Sequence, residues 1–288
     1  LVFRHIEEPD RLPSLAELKA GPLSLVDRWI LSRLARVTDD VNRSLEQYNL
    51  HEGARHIYRF FWHEFCDWYL EMIKLHPEQS KPTLLYVFES ALRLLHPFMP
   101  FITEELWQNL PHEGESIVIA PYPEFDPELV NEKAESQAAM IQEIIVKVRN
   151  IRSAMKVEAR QTVPLHIEMT DPEVERLLNE SSKYILRLAQ VSEVKGLEPD
   201  VSGEVKYLQD VAGGLLLRVP LEGVVDEEAE RGRLNREMEK VRREMESLER
   251  KLSTASFVER APREVVEENR RRLAGYQDQA AKLNEGLM

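Results

Sequence analysis

Apolar residues return at Val26, Ile30, Leu34, Val37, Val41, Leu45 and Tyr48, in steps of 4, 4, 3, 4, 4 and 3. This spacing keeps one face of a helix apolar along its whole length. Ser24 opens that helix, and Asp27 three residues on completes a capping-box pattern. The next segment, about 52 to 75, carries Ile57, Tyr58, Phe60, Phe61, Trp62, Phe65, Trp68, Tyr69, Leu70, Met72 and Ile73. It is apolar on most sides and is expected to lie centrally among other helices. A third helix is predicted from near Pro82 and Thr83 through Leu85, Phe88 and Leu92 to Leu95. It should stop at His96, because Pro97 lacks an amide donor and disfavours helix in the residue before it. A fourth should start near Phe101 and reach Leu110, with Glu104 and Glu105 in a first turn where negative charge suits the dipole. Pro111, Gly114, Pro121, Pro123 and Pro127 then interrupt the pattern around one strand-like run, Ser116 to Ala120. A long helix follows, from about Pro127 to Met155, with Met140, Ile141, Ile144, Ile145, Val148 and Ile151 on its inner face.

The period then changes. Val163, Leu165, Ile167 and Met169 alternate with other residues, which signals a strand. Asp171-Pro172-Glu173 reads as a cap with proline at the first helical position, for a helix reaching about Gln190. Further short strands are expected near Val191 to Leu197, Glu204 to Leu208 and Leu215 to Leu221, the last two flanking a turn at Ala212-Gly213-Gly214. The end of the chain is heptad-like. Leu234, Met238, Val241, Met245, Leu248 and Leu252 are matched by Val266, Asn269, Leu273, Tyr276, Ala280, Leu283 and Leu287. The short connection, Ser253 to Pro262, should fold the two helices into an antiparallel coiled-coil hairpin. At 1.5 Å per residue, helices of about 25 residues make an arm of roughly 37 Å. The expected fold is therefore mainly α, in four parts: a proline-punctuated linker (1–22), a helical bundle (23–155), a small α+β subdomain (156–224) and a coiled-coil arm (225–288).

A chain of 288 residues can bury a sizeable core without disulfides, and its single cysteine, Cys66, fits a reducing, cytoplasmic setting. There is no apolar run of 18 residues, so no membrane span is expected. The start, LVFRHIEEPD, has neither an initiator Met nor a signal-peptide layout, and the linker reads as a lead-in from a missing part. The net charge of -13 argues against strong non-specific binding to nucleic acid. Its distribution softens that objection. Residues 227–288 hold 14 basic and 14 acidic residues, so the other 24 basic and 37 acidic residues carry the whole deficit.

Candidate chemistry is sparse. His63-Glu64 resembles the start of a zinc-protease helix, but position 67 is Asp, so no metal site is expected. No glycine-rich phosphate loop and no nucleophile–base pair stand out, and no catalytic residue is assigned. On the aromatic helix Phe61, Phe65 and Trp68 read as packing, whereas Arg55, Arg59 and Trp62 are candidates to stack on unpaired RNA bases. Arg149, Arg152 and Lys156 end the long helix; they either serve its C-terminal carbonyls or contact phosphate. On the arm Arg242, Arg243, Arg250, Lys251, Arg260, Arg263, Arg270, Arg271 and Arg272 form either a solvated flank or a phosphate-binding stripe.

Four strings carry a family resemblance, among them Val148-Arg149-Asn150-Ile151-Arg152-Ser153-Ala154-Met155-Lys156-Val157, which looks like the synthetase family's. Leu94-Leu95-His96-Pro97-Phe98-Met99-Pro100-Phe101-Ile102-Thr103-Glu104-Glu105-Leu106-Trp107 and Phe60-Phe61-Trp62-His63-Glu64-Phe65-Cys66-Asp67-Trp68-Tyr69 resemble the helical anticodon-binding domain of class I aminoacyl-tRNA synthetases, the group charging valine, isoleucine and leucine. The arm's tip, Phe257-Val258-Glu259-Arg260-Ala261-Pro262-Arg263-Glu264-Val265-Val266-Glu267, resembles that of the bacterial-type valyl-tRNA synthetase family. The resemblance implies a non-catalytic, tRNA-binding portion of an enzyme that attaches valine to its tRNA with ATP and Mg²⁺ and edits mischarged threonine. It implies no cofactor in this portion, valine tRNA as partner, no DNA or membrane, a monomer, and a cytoplasmic location. The family's two ATP-site signatures, His-Ile-Gly-His-like and Lys-Met-Ser-Lys-Ser-like, are absent. The rival readings are a coiled-coil interaction scaffold, in which the heptads pair between chains, and an isoleucyl or leucyl relative.

Overall fold

The computed structural model describes residues 11–158, 160–169, 171–197, 207–220, 227–253 and 263–285, with side chains there except at 227–237, 263–265, 278–279 and 281–285. The chain divides into two compact units, Leu1–Pro220 and Leu221–Met288. The first opens with a short helix α1 (Leu15–Ala20) and then α2 (Leu25–Glu46). Val26, Ile30, Leu34, Val37 and Val41 are buried as the spacing predicts, and Ser24 and Asp27 close a reciprocal capping box. The pattern runs one residue type too far. The helix ends at Glu46, and Tyr48 sits beyond it at φ 58, 89% exposed.

Helix α3 begins at Leu50. It is α-helical over Leu50–Arg59, π-helical over Phe60–Tyr69 and α-helical again over Leu70–Ile73. In an α-helix Phe60 and Phe65 would lie about 140° apart. The wider π turn, bonded i to i+5, brings both to the inner face with Tyr69. Phe61, Phe65 and Phe88 stack there with ring centroids 5.5–6.2 Å apart. Helix α4 (Pro77–Leu95) starts five residues before the predicted Pro82: Pro77 occupies the first turn, and Pro82 is accommodated inside the helix. It stops at Leu95, before the prolines, as expected.

Helix α5 (Pro100–Trp107) starts one residue earlier than predicted, on Pro100 itself. Glu104 is therefore not a first-turn dipole partner. Its carboxylate accepts from Ser116 Oγ at 2.7 Å, from the Ile117 amide at 3.2 Å and from Gln108. Those bonds fold the strand-like run into a single 3₁₀ turn, Ile117–Ile119, with Val118 and Ile119 turned out to solvent. A second 3₁₀ turn occupies Pro127–Leu129, so the long helix α6 (Glu132–Ala154) begins later than the apolar pattern suggested, on an Asn131 cap.

The α+β part is a four-stranded sheet of order β2-β1-β4-β3. β1 (Val163–Ile167) pairs parallel to β2 (Val191–Gly196) and antiparallel to β4 (Leu215–Pro220), which pairs antiparallel to β3 (Tyr207–Ala212). Residues 204–206 of the expected strand lie outside the described residues. Gly213 and Gly214 both have positive φ, 54° and 80°, which a two-residue hairpin turn requires and glycine supplies without strain. Helix α7 (Pro172–Leu188) packs against β2 and α6, and α6 against β3 and β4, so both helices cover one sheet face. That core contains Val163, Leu165, Ile167, Leu215, Leu217 and Val219. Because α6 also packs on α2, one helix belongs to both the bundle and the α+β part.

The second unit is α8 (Glu227–Ser253) packed on α9 (Arg263–Glu285). The nine residues between them, 254–262, can span roughly 30 Å, less than the roughly 40 Å of α8, so the helices run antiparallel. Val241, Leu248 and Val266 are buried, and Met238, Met245, Leu252, Asn269, Leu273, Tyr276 and Ala280 are half-buried, as the heptads predict. Leu234, Leu283 and Leu287 lie outside the described side chains.

Candidate nucleic-acid interface

The turns of α3 that place its phenylalanines inside turn another set outward. Arg55, Tyr58, Arg59 and Trp62 are all exposed, Tyr58 at 60% and Trp62 at 51%. The Tyr58 and Trp62 rings are parallel within 1° with centroids 6.5 Å apart, and His63 meets Tyr58 edge-on at 6.4 Å. Arg55 is tied to Glu52 one turn back. This face combines flat aromatic surface with cations, the chemistry that holds splayed RNA bases. Tyr58 was not among the sequence candidates. Its signal was its i, i+4 spacing from Trp62, obscured by the density of aromatics on both sides. Near the same helix, Phe98 rests on Gly53, where an added Cβ would come within 3.0 Å of the ring. That contact joins the start of α3 to the proline junction, whose Met99 and Phe101 are 51% and 91% exposed.

The cations at the end of α6 separate into different roles. Arg152 is buried and donates to the Gln190 carbonyl at 3.1 Å, the Glu158 carbonyl at 3.3 Å and Gln190 Oε1 at 2.9 Å. Burial pulls its guanidinium below the ordinary arginine value. Its terminal nitrogens are spent on Gln190, just past the end of α7, and on the Glu158 carbonyl beyond the end of α6. Arg149 is exposed; its Nε donates to the Leu188 carbonyl at 2.8 Å, and its guanidinium lies 5.9 Å over the Trp68 ring. Lys156 is exposed, at φ 53 just past the helix end.

On the arm, Arg242, Arg243, Arg250, Lys251, Arg270, Arg271 and Arg272 are exposed, off the apolar seam. Arg243 pairs with Glu239 at 2.7 Å, and Arg250 Nε donates to the Glu246 carbonyl. Arg260 lies outside the described residues, and so does the side chain of Arg263. Among the described residues no cluster of three or more His, Cys, Asp or Glu is placed to hold a metal ion. Burial pushes the Cys66 thiol up, away from the reactive thiolate. Among the described residues no helix is long and apolar enough to cross a membrane.

Residues 27–168 match the family described as the anticodon-binding domain of tRNA ligase, and residues 226–288 match the valyl tRNA synthetase tRNA binding arm. This chain belongs to the valyl-tRNA synthetase family. It is 41% identical over 265 residues to a valine–tRNA ligase of Geobacillus stearothermophilus, covering 89% of this chain and 30% of that protein. It is 40% identical over 283 residues to the valine–tRNA ligase of Thermotoga maritima, covering 94% and 32%. With that of Carboxydothermus hydrogenoformans it shares 38% over 266 residues, covering 90% and 30%. The chain thus spans about a third of the length of these synthetase relatives. Residues 169–225, with α7 and most of the sheet, lie between the two matched regions.

Proposed function

We propose that this chain is the tRNA-gripping portion of a valine–tRNA ligase, and that it takes no part in bond making. The observation that carries the reading is the outward face of α3. There two parallel aromatic rings and two arginines stand exposed on the helix whose other face is the bundle core. Such a surface can bind unpaired bases by stacking, at about 1–3 kcal/mol per base. The bundle receives the anticodon loop, with bases splayed onto Tyr58 and Trp62. The arm lies against the outer corner of the L-shaped tRNA, where the D and T loops meet, with Arg242, Arg243, Lys251, Arg270, Arg271 and Arg272 toward its phosphates.

The whole protein attaches valine to its tRNA with ATP and Mg²⁺, both acting outside this portion. Editing of threonine fits the same scheme, since a valine pocket rejects a hydroxyl-bearing isostere poorly. Pairing of α8 with α9 inside one chain supports a monomer over a scaffold that dimerises through its heptads. The lone cysteine cannot build the Cys-rich zinc element with which isoleucyl relatives typically end. We place the protein in the cytoplasm with its tRNA. Competition among valine, isoleucine and leucine transcripts for the purified chain tests the reading: valine tRNA displaces best if it holds, and equal displacement by all three rejects it.

A further inference from the structure

Most of the chain's negative excess lies in the first unit, so an RNA crossing it meets repulsion except where cations gather. One such place is a cleft of about 1170 Å³ where the ends of α6 and α7 meet the last turns of α3. It is larger than the roughly 300–1,000 Å³ typical of small-molecule pockets and suits a polymer. Arg149, Arg152, Lys183 and Arg187 line it against one acid, Glu71, which already pairs with Lys74 at 2.5 Å. Among the described residues no carboxylate lies within ion-pair distance of Arg149, Lys183 or Arg187.

The cleft's cations are also pre-oriented. Arg149 lies over the Trp68 ring, and the Lys183 ammonium sits 5.2 Å over Tyr184. The Arg149 Nε is fixed by the Leu188 carbonyl, which leaves its terminal nitrogens for another acceptor. Lys183 and Arg187 stand one helical turn apart and exposed on α7, outside both regions matched to known families. Arg152, fully engaged inside the protein, acts as the floor that locks Gln190 and the α6 end together.

We propose that this cleft binds the phosphodiester backbone of the tRNA, with Lys183, Arg187 and Arg149 as its phosphate contacts. The α+β part is then a second hand on the RNA, separate from the base-stacking face of α3. The inference rests on the reading of the chain as a tRNA binder.

The test uses the full chain and a labelled valine tRNA transcript, titrated from ~50 to ~300 mM NaCl. Lys183→Ala/Arg187→Ala is compared with wild type and with Arg270→Ala/Arg271→Ala/Arg272→Ala. Both α7 positions are on the surface, and unchanged helical circular dichroism confirms folding. The cleft variant should bind roughly tenfold or more weakly at low salt, with a log–log salt slope shallower by about 2. In hydroxyl-radical footprinting it should lose one backbone stretch and keep the stretch protected by the arm. Tight wild-type binding with an unchanged slope and footprint in the cleft variant overturns the cleft alone. Absence of wild-type binding overturns the cleft and the tRNA-binding reading together. Saturation of the cleft by inorganic phosphate without any cleft-dependent RNA footprint overturns the polymer assignment.

Discussion

The indole N–H of Trp107 donates at 2.8 Å to Glu89, a carboxylate only 3% exposed. Arg93 grips the other oxygen at 2.8 and 3.1 Å. These bonds fasten α5 to α4 across the proline junction, so the string Leu94 to Trp107 specifies a corner as well as a helix break. Removing one member of such a buried set leaves the others uncompensated. Glu89→Ala should cost roughly 3–5 kcal/mol and Trp107→Phe about 1–3 kcal/mol, both read from denaturant midpoints. Values near zero for Glu89→Ala would show that the corner holds without this carboxylate.

A second buried acceptor, Asp27, takes the Tyr69 hydroxyl at 2.9 Å and the Ser80 hydroxyl at 3.1 Å while capping α2. Desolvation, then the charge of Asp27, raises the Tyr69 phenol well above 10. Above about pH 10 the unfolded chain loses this proton and the folded chain keeps it, so stability falls as pH rises. Each such tyrosine steepens the fall by up to about 1.4 kcal/mol per pH unit. Tyr69→Phe should be less stable at neutral pH and decline less steeply between about pH 10 and 11. Parallel declines for wild type and variant would refute the assignment.

Trp62→Ala should weaken binding of an anticodon stem-loop by about 1–3 kcal/mol, roughly tenfold or more, with Trp62→Phe retaining part of the affinity. Tyr58→Ala should act in the same direction. Both residues are exposed, so melting temperatures should stay near wild type. Stem-loop affinity that ignores all three substitutions would remove the stacking face from the account.

Removing residues 226–288 from the complete enzyme should weaken tRNA binding and leave valine activation intact. With about three phosphates on the arm, the salt slope should fall by roughly 2 to 3. The purified chain should scatter light as a monomer, because its heptads are already satisfied within one hairpin. A concentration-dependent dimer lost with the arm would favour pairing between chains.

The parts legible in the sequence are those set by local periodicity. The arm's seam follows its heptads from Met238 to Ala280, and α2 buries its predicted stripe up to Val41. Glycines at 213 and 214 announced the hairpin because only they enter that turn freely. What tertiary contact decides was not legible. Ile117 to Ile119 have strand-like side chains, yet Glu104 gathers their backbone into a turn. Ten aromatic-rich residues read as an α-helix, but burying Phe60 and Phe65 on one face, with Phe65 against Phe88 of α4, is met by a π turn. Arg149 and Arg152 look alike in sequence; Arg149 is exposed with only its Nε held by Leu188, whereas Arg152 is buried and spent on Gln190 and Glu158. Lys183 and Arg187 gave no signal alone, since their meaning comes from the end of α6 across the cleft.

The central claim is recognition of one folded RNA, and a gel-shift titration at modest ionic strength tests it most directly. The chain should bind the valine-accepting transcript at lower concentration than unrelated tRNA transcripts of equal length. Equal binding to all of them would contradict it.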